Sequence, residues 1–525
     1  MMSAVGSFID YKAKTNMQCG SYTIDLPKLK PNEQYRFHFD ATKCIGCHCC
    51  EVACNEQNNN PSHIKWRRVG EVEGGIFPNV SQIFLSMSCN HCIDPWCLKG
   101  CPTNSYIKID NGIVIHDDEA CIGCQYCTWN CPYDVPIFHP ERHIVTKCHM
   151  CYEKIEKNQT PACVQACPEG AIEIEVVNKD EWLKENIDKE GNAPGLIDAR
   201  VTNSTTRFTL PKDMPKDIEP IDKDLIKPAH KELPLVFMTI LTQVSFIGFT
   251  AIFLGDIVSK FTSLNPPSFT MIFTIFMLSA VGLPLSALHL GRPIKALSAF
   301  KNIKTSWLSK EALFLGIFVA LLGVVTLIYL LNINGFIRIF IEAVTVIVGA
   351  YGIYAQSMIY KIPAKPTWNR KVTNYRFFST GYIGLLILTA IAIFLEDSAT
   401  ANILLSLSIL MGSVHIYIFF ESQKFYSSLD KNHPFYYQIS RAKKLLEDDF
   451  LKLYNFRKVS LPLGAIFLPI LGVVSLNAKS YSFAFLIILL SILISFGSEI
   501  VGRVLFYSTA IKTSMPGNFF AGAQR

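Results

Sequence analysis

Residues 44–54 read CIGCHCCEVAC and residues 121–131 read CIGCQYCTWNC. Both carry the spacing C-x2-C-x2-C-x3-C, at Cys44, Cys47, Cys50 and Cys54 and at Cys121, Cys124, Cys127 and Cys131. Thiolates two residues apart can wrap one iron–sulfur cube, while the fourth, carried off by a short loop, ligates the other cluster of a pair. Two variant runs, with a longer gap before the third cysteine, are Cys89, Cys92, Cys97, Cys101 and Cys148, Cys151, Cys163, Cys167. Pro102, Pro132 and Pro168 follow the last cysteine of three runs and, with fixed φ and no N–H, turn the chain out of the site. Four runs imply four 4Fe–4S clusters in two interleaved pairs. Cysteine stands at every ligand position, so no three-iron centre is expected.

Three other readings use the same residues. Disulfides would suit a secreted chain, and nothing here signals secretion. Zinc suits isolated C-x2-C pairs but does not explain four ferredoxin-spaced runs. CIGCH at 44–48 also matches a haem attachment site, yet it is embedded in the longer spacing. Cys19 and Cys49 are left over and read as packed or surface thiols. The N-terminal MMSAVGSFIDYKAKTNMQCG shows neither a signal-peptide core nor an arginine pair, so no cleaved export signal is expected.

Outward from the cysteines, the chain divides sharply. It has 525 residues, 50% hydrophobic and 18% charged, too long for one core and too apolar for an ordinary soluble protein. All 18 cysteines lie between Cys19 and Cys167, and the long apolar runs lie only beyond residue 233. The net charge of +6 is modest and does not suggest nucleic acid. Strand-like runs at 112–116 (GIVIH) and 171–176 (AIEIEV) alternate with the cysteine loops. The fold class expected is an α+β four-cluster ferredoxin-like head, two bacterial-ferredoxin modules, over residues 1–195. A Pro-, Lys- and Asp-rich connector follows over 196–232, then an all-α polytopic membrane domain over 233–525 with about eight transmembrane helices.

The stretches CIGCHCCEVACNEQNN, WRRV, SCNHCIDPWCLKGCP, CIGCQYCTWNCPYDVP and TKCHMCYEKIEKNQTPACVQACPEGAI resemble the iron–sulfur subunit of dimethyl sulfoxide reductase, over about residues 35–210. More broadly they resemble the four-cluster subunits that serve molybdopterin oxidoreductases. The resemblance implies a ligand set: Cys44, Cys47, Cys50 with Cys167; Cys148, Cys151, Cys163 with Cys54; Cys89, Cys92, Cys97 with Cys131; Cys121, Cys124, Cys127 with Cys101.

A membrane crossing needs about 20 apolar residues. Eight runs qualify, near 233–255, 269–290, 312–331, 336–359, 377–395, 401–420, 459–476 and 481–501. An even number returns the chain to the head's side. Loops on that side carry seventeen Lys and Arg and the opposite loops three, Lys260, Arg338 and Lys479. The positive-inside rule then puts the head on the cytoplasmic side of a bacterial inner membrane.

Polar residues within spans are functional suspects. Tracing alternating directions gathers His289, Arg292, Trp307, Glu311, Tyr360, Trp368, Tyr375, Arg376, His415, Glu499 and Arg503 near the head-side surface. His289, Arg292 and Glu311 are the candidate quinol site, because oxidising a quinol needs a proton acceptor near an electron acceptor. Trp307, Trp368, Arg292 and Arg376 also read as interfacial anchors, and His415 and Glu499 as helix-packing groups. Glu342 sits near the far face. His289 and His415 are the only deep histidines, so no b-type haem is expected.

The segments SALHLGRPIKALSAFKNIKTSWLSKEALF, YAQSMIYKIPAKPTWN and SEIVGRVLFYSTAIKTSMPGNFF resemble the membrane anchor subunit of dimethyl sulfoxide reductase. That resemblance implies menaquinol oxidation and anchoring, with electrons passing to a separate molybdopterin catalytic subunit. The departure is that two subunits are joined in one chain. The same parts run in reverse would serve a dehydrogenase feeding quinone. An ion-translocating redox subunit would need acidic or histidine groups traversing the bilayer.

Overall fold

The computed structural model describes residues 29–215, 217–221, 228–333, 335–430 and 435–511. Cys19, the N-terminal segment, Lys431 and the last residues of the third anchor-like stretch lie outside them.

Strand 33–40 alternates Tyr35, Phe37 and Phe39 with polar residues, and both of its faces are covered. It runs antiparallel to Ile172–Asn178, with Phe37 opposite Ile174, and parallel to Arg207–Thr209. A second sheet is the hairpin Arg68–Ile76 and Asn79–Met87, extended by Glu219–Pro220. Two short hairpins, Tyr106–Lys108 with Val114–His116 and Ile137–His139 with Ile144–Thr146, sit between cysteine runs. The stretch read as a bare connector therefore contributes strands to both larger sheets. Strands of two and three residues make too little local pattern to stand out, and their pairing with strands 68–76 and 33–40 is a long-range event.

Among the described residues eight helices are long and apolar enough to cross a membrane: Leu233–Ser259, Phe269–His289, Trp307–Leu330, Phe336–Met358, Lys371–Phe394, Ser398–Ser427, Leu451–Asn477 and Tyr481–Ser508. They follow the eight apolar runs and mostly extend past them, because amphipathic ends continue the helix beyond the apolar window. The fifth is interrupted at Thr380–Gly381. There the first and fifth spans approach closely: a Cβ on Gly384 would lie 2.3 Å from the Val244 carbonyl oxygen, and one on Gly381 would strike Ile247. Without a hydrophobic drive between helices in lipid, such small-residue contacts are how membrane helices pack.

The head and the bundle share one core. Tyr126, from the third cysteine run, is buried with side chains of the spans and donates to the Ile359 carbonyl (2.9 Å). The Ala229 N–H, just before the first span, bonds the Ser508 carbonyl at the end of the eighth (2.9 Å). The first span thus starts, and the eighth ends, on the head's side.

Candidate functional site

The four cysteine runs share a backbone turn that their differing spacings conceal. The residue before the second cysteine is left-handed in each: Gly46 (φ 68°), His91 (φ 40°), Gly123 (φ 69°) and Met150 (φ 56°). Such a turn curls the chain around one point, so the first two thiols face inward together, and the next N–H groups point at sulfur. Gly123 N–H lies 3.4 Å from Cys121 Sγ, and Met150 N–H lies 3.4 Å from Cys148 Sγ. Ala171 N–H and Ser105 N–H approach Cys167 Sγ (3.2 Å) and Cys101 Sγ (3.4 Å). These are the donors an anionic iron–sulfur group needs.

The last cysteine of each run leaves its own group for another. Cys167 joins Cys47 and Cys50 around Cys44. Cys54 sits with Cys148, Cys151 and Cys163. Cys131 lies with Cys89, Cys92 and Cys97, and Cys101 with Cys121, Cys124 and Cys127. Seventeen described cysteines stand as free thiols, Cys49 exposed beside Cys47. Burial pushes the Cys50 and Cys163 thiols up to about 11 and Cys131 to about 12. Buried thiols clustered in fours, with N–H donors aimed at sulfur, fit the chemistry of 4Fe–4S clusters.

Under the third run, the loop between the second and third spans docks on the head through backbone. Gly291 N–H bonds Gly123 O (3.3 Å) and Arg292 N–H bonds Ile122 O (3.0 Å). The Asn302 side chain donates to Cys101 O (2.8 Å), and Ser306 to Gly100 O (2.7 Å). His289 closes this contact. Its Nδ1 lies 2.7 Å from Glu232 Oε2 and its Nε2 lies 3.2 Å from Cys124 O. Both partners only accept, so the ring makes both contacts when each nitrogen carries a proton. Glu232, immediately before the first span, is buried. Burial alone would raise its carboxyl, but hydrogen bonds from His230 and His289 outweigh it and hold the group down at about 2. Sequence reasoning missed Glu232; an acid abutting an apolar span was the available signal.

The other candidates divide. The Arg292 guanidinium donates to Asp118 O (2.9 Å) and faces Cys121 O (3.5 Å), so it is spent on docking the loop. Glu311 is buried and hydrogen-bonded to Gln356, near Tyr126, Tyr360 and Tyr507. From Gln356 polar contacts run on to Gln243 (2.7 Å), Arg503 (2.6 Å), Thr380 (3.1 Å) and Glu499 (3.4 Å). Glu499 is closed by His415 (2.9 Å) and Arg457 (2.8 Å), and His415 also meets Ser379 (2.7 Å). Trp307 lies over Lys310 against Tyr354, and Tyr375 is exposed, as interfacial anchors would be. At the far end, Glu342 is buried 3.7 Å from Arg338, which meets Asp256 at 2.5 Å.

Trp129, between Cys127 and Cys131, joins these parts. Its ring lies 6.2 Å from His289, 5.2 Å from Trp368 and 6.1 Å from Tyr360. Behind Trp368, stacked on Phe506 at 5.1 Å, opens a cavity of about 80 Å³ lined by Arg376, His415 and Arg457 among others.

Comparison with known proteins places both halves. The family described as DMSO reductase anchor subunit (DmsC) matches residues 227–509, and the 4Fe-4S dicluster domain matches residues 80–177. An anaerobic dimethyl sulfoxide reductase chain of Haemophilus influenzae is 39% identical over 156 residues, 28% of this chain and 76% of the relative. Its Escherichia coli namesake is 37% identical over 169 residues, 31% of this chain and 82% of the relative. The formate dehydrogenase-O iron-sulfur subunit of Escherichia coli is 40% identical over 152 residues, 25% of this chain and 50% of the relative.

Proposed function

Because this polypeptide belongs to the DMSO reductase anchor subunit family and carries in front of that anchor an iron–sulfur head like the reductase chains just compared, we propose that it is a complete quinol-to-catalyst relay in one molecule. It is a multi-pass membrane protein and a 4Fe–4S electron-transfer subunit of a DMSO reductase-like complex. The reading adds four clusters, held as the cysteine groups lie: Cys44, Cys47, Cys50, Cys167; Cys54, Cys148, Cys151, Cys163; Cys89, Cys92, Cys97, Cys131; Cys101, Cys121, Cys124, Cys127. The clusters supply one-electron storage and transfer when bound.

Menaquinol from the membrane pool is the electron donor in this reading, and the observation that carries it is His289. This membrane-end histidine touches both a buried carboxylate and the backbone of Cys124, a cysteine of the group nearest the bundle. Neutral His289 carries one N–H and can donate to only one of these acceptors, so a proton received from quinol would complete the second contact. Glu311, at the start of the third span, is the second proton acceptor. Arg292 fixes the loop that carries His289. With clusters bound, the Cys121 group would supply the electron acceptor nearest the membrane, and the other groups would lead outward toward a separate molybdopterin catalytic subunit. Both nitrogens of His289 and of His415 lie within hydrogen-bond reach of protein groups, which supports a relay without b-type haem. The charge difference between loops supports a cytoplasmic head.

His289→Gln and Glu311→Gln in anaerobically purified full-length protein test the site. Menaquinol-driven cluster reduction should fall at least tenfold in each, with iron content and dithionite-reduced spectra unchanged. Unaltered quinol oxidation in both would remove the site from this place. A second reading, electrons entering from a dehydrogenase and leaving to quinone, is favoured by the resemblance to relatives named as subunits of formate dehydrogenase-O and of sulfite dehydrogenase. Cluster re-oxidation by added menaquinone faster than reduction by menaquinol would select it.

A further inference from the structure

Two basic side chains lie buried in the head without an ion pair to a carboxylate among the described residues. Arg67 is 2% exposed. Its guanidinium donates to Ser86 Oγ (3.1 Å) and Ser88 Oγ (2.9 Å), both neutral, and lies over the Phe37 ring at 4.7 Å. The ionisable groups around it are thiols: Cys163, Cys50, Cys148 and Cys54. Lys147 is also 2% exposed. Its ammonium donates to the carbonyls of Cys148 (2.8 Å) and Val114 and sits 3.7 Å from Cys89 Sγ. No salt bridge to either group occurs among the described residues, and Glu51, the acid beside Cys50, is taken by Lys65 at 2.6 Å.

An unpaired cation in a protein interior carries a large desolvation penalty. It persists where an anion compensates it, and among the described residues the groups at hand that would become anionic are the cysteines, once they act as cluster ligands. Mapped on the proposed ligand sets, on which this inference rests, Arg67 stands between the Cys44 group and the Cys148 group. Lys147 stands at the next junction, between the Cys148 group and the Cys89 group. At the third junction, between the Cys89 and Cys121 groups, the structure has a neutral phenol instead: Tyr106, beside Cys97, Cys101 and Cys127.

We propose that Arg67 and Lys147 are positioning charges that raise the reduction potentials of the three outer clusters. A 4Fe–4S cluster with four thiolates is already anionic, and accepting one electron makes it more so. A fixed positive charge in a dry, low-dielectric site stabilises the reduced form over the oxidised one and raises the potential. Each cation also screens the repulsion between two reduced clusters on either side of it. The arrangement makes the outer three stations the easier ones to reduce relative to the same sockets without the charges, and so draws electrons from the membrane toward the outer end.

The test is a potentiometric titration followed by electron paramagnetic resonance on the full-length protein, with iron counted in the same samples. Signals are assigned beforehand with Cys44→Ser and Cys92→Ser. Arg67→Gln should move the midpoints of the Cys44 and Cys148 clusters to more negative potential and leave the Cys121 cluster in place. Arg67→Lys, which keeps the charge, should return most of the shift. Lys147→Gln should lower the Cys89 cluster most. If Arg67→Gln loses the outer pair while Arg67→Lys retains it, charge is still what the position requires. Unmoved midpoints in both Gln variants with full iron overturn the proposal, as does loss of the pair in Arg67→Lys and Arg67→Gln alike, which would make the need one of shape. Failure of the ligand assignment itself shows separately, as a deficit of iron in the unmodified protein.

Discussion

Glu232 shows how much a single residue can carry without announcing itself. It is one acid in a connector full of them, yet it is 7% exposed and receives both His230 and His289. Its carboxyl is held near 2 instead of the ordinary 4.5, so its folded-state value is depressed. The sign follows: its stabilising contribution is complete above about pH 4.5 and disappears as pH falls toward 2. The size is on the order of 3 kcal/mol. Glu232→Gln should therefore remove stability at neutral pH and flatten the acid limb of a thermal-unfolding profile between pH 5 and pH 2, measured against the unmodified protein. The histidine was legible in the sequence because a histidine at the end of an apolar span is rare. Its partner was not, because nothing local distinguishes a buried acid from a solvated one. Arg67 was hidden for a related reason. WRRV at 66–69 is a short basic-aromatic string, and only the folded hairpin turns Arg67 inward onto Ser86 and Ser88.

At the scale of elements, the eight apolar runs and the four cysteine runs were readable because each is a repeated local pattern. What joins them was not. The loop 290–306 reads as a basic, short-helical connection, and its role is to press backbone against backbone. Gly291 and Gly123 meet so closely that a Cβ on Gly291 would lie 2.3 Å from the His143 carbonyl oxygen, and one on Gly123 2.9 Å from the Gly291 Cα. Gly123 also needs its left-handed φ of 69° for the cluster turn, so two separate demands meet at one position. Gly291→Ala should push the loop off the head while leaving the cysteine turn intact. The expected result is slowed cluster reduction by quinol with unchanged iron content, and new protease cleavage within 290–306. Asn302→Ala is a milder version: it leaves the buried Cys101 carbonyl without its side-chain donor, at about 1–3 kcal/mol. The Gly291 variant should exceed the Asn302 variant in both readouts, because displaced backbone cannot relax as a lost side chain can.

For the whole molecule, the two halves owe their order to different sources, and this sets how the protein should come apart. The bundle is held by lipid-facing helices closed on themselves, with hydrogen bonds satisfied inside each span. The head has short strands and small hairpins, and its sockets are lined by thiols that burial holds in the protonated form: about 11 for Cys50 and Cys163, about 12 for Cys131. At neutral pH those thiols are protonated before iron arrives, so each must give up a proton to become a ligand. Two consequences can be measured together. Reconstituting iron and sulfide into depleted protein should release protons into a weakly buffered solution, and loading at limiting iron should rise with pH across the neutral range. Removing the clusters with a strong chelator under reducing conditions should expose residues 33–209 to protease while the eight spans stay resistant and helical by circular dichroism. About sixteen irons per molecule should be recovered. A head that stays folded and protease-resistant after full iron loss would mean that packing around Phe37, Phe39 and Trp66, not metal, holds the domain, and the four sockets would have to be read as features of an independently stable fold.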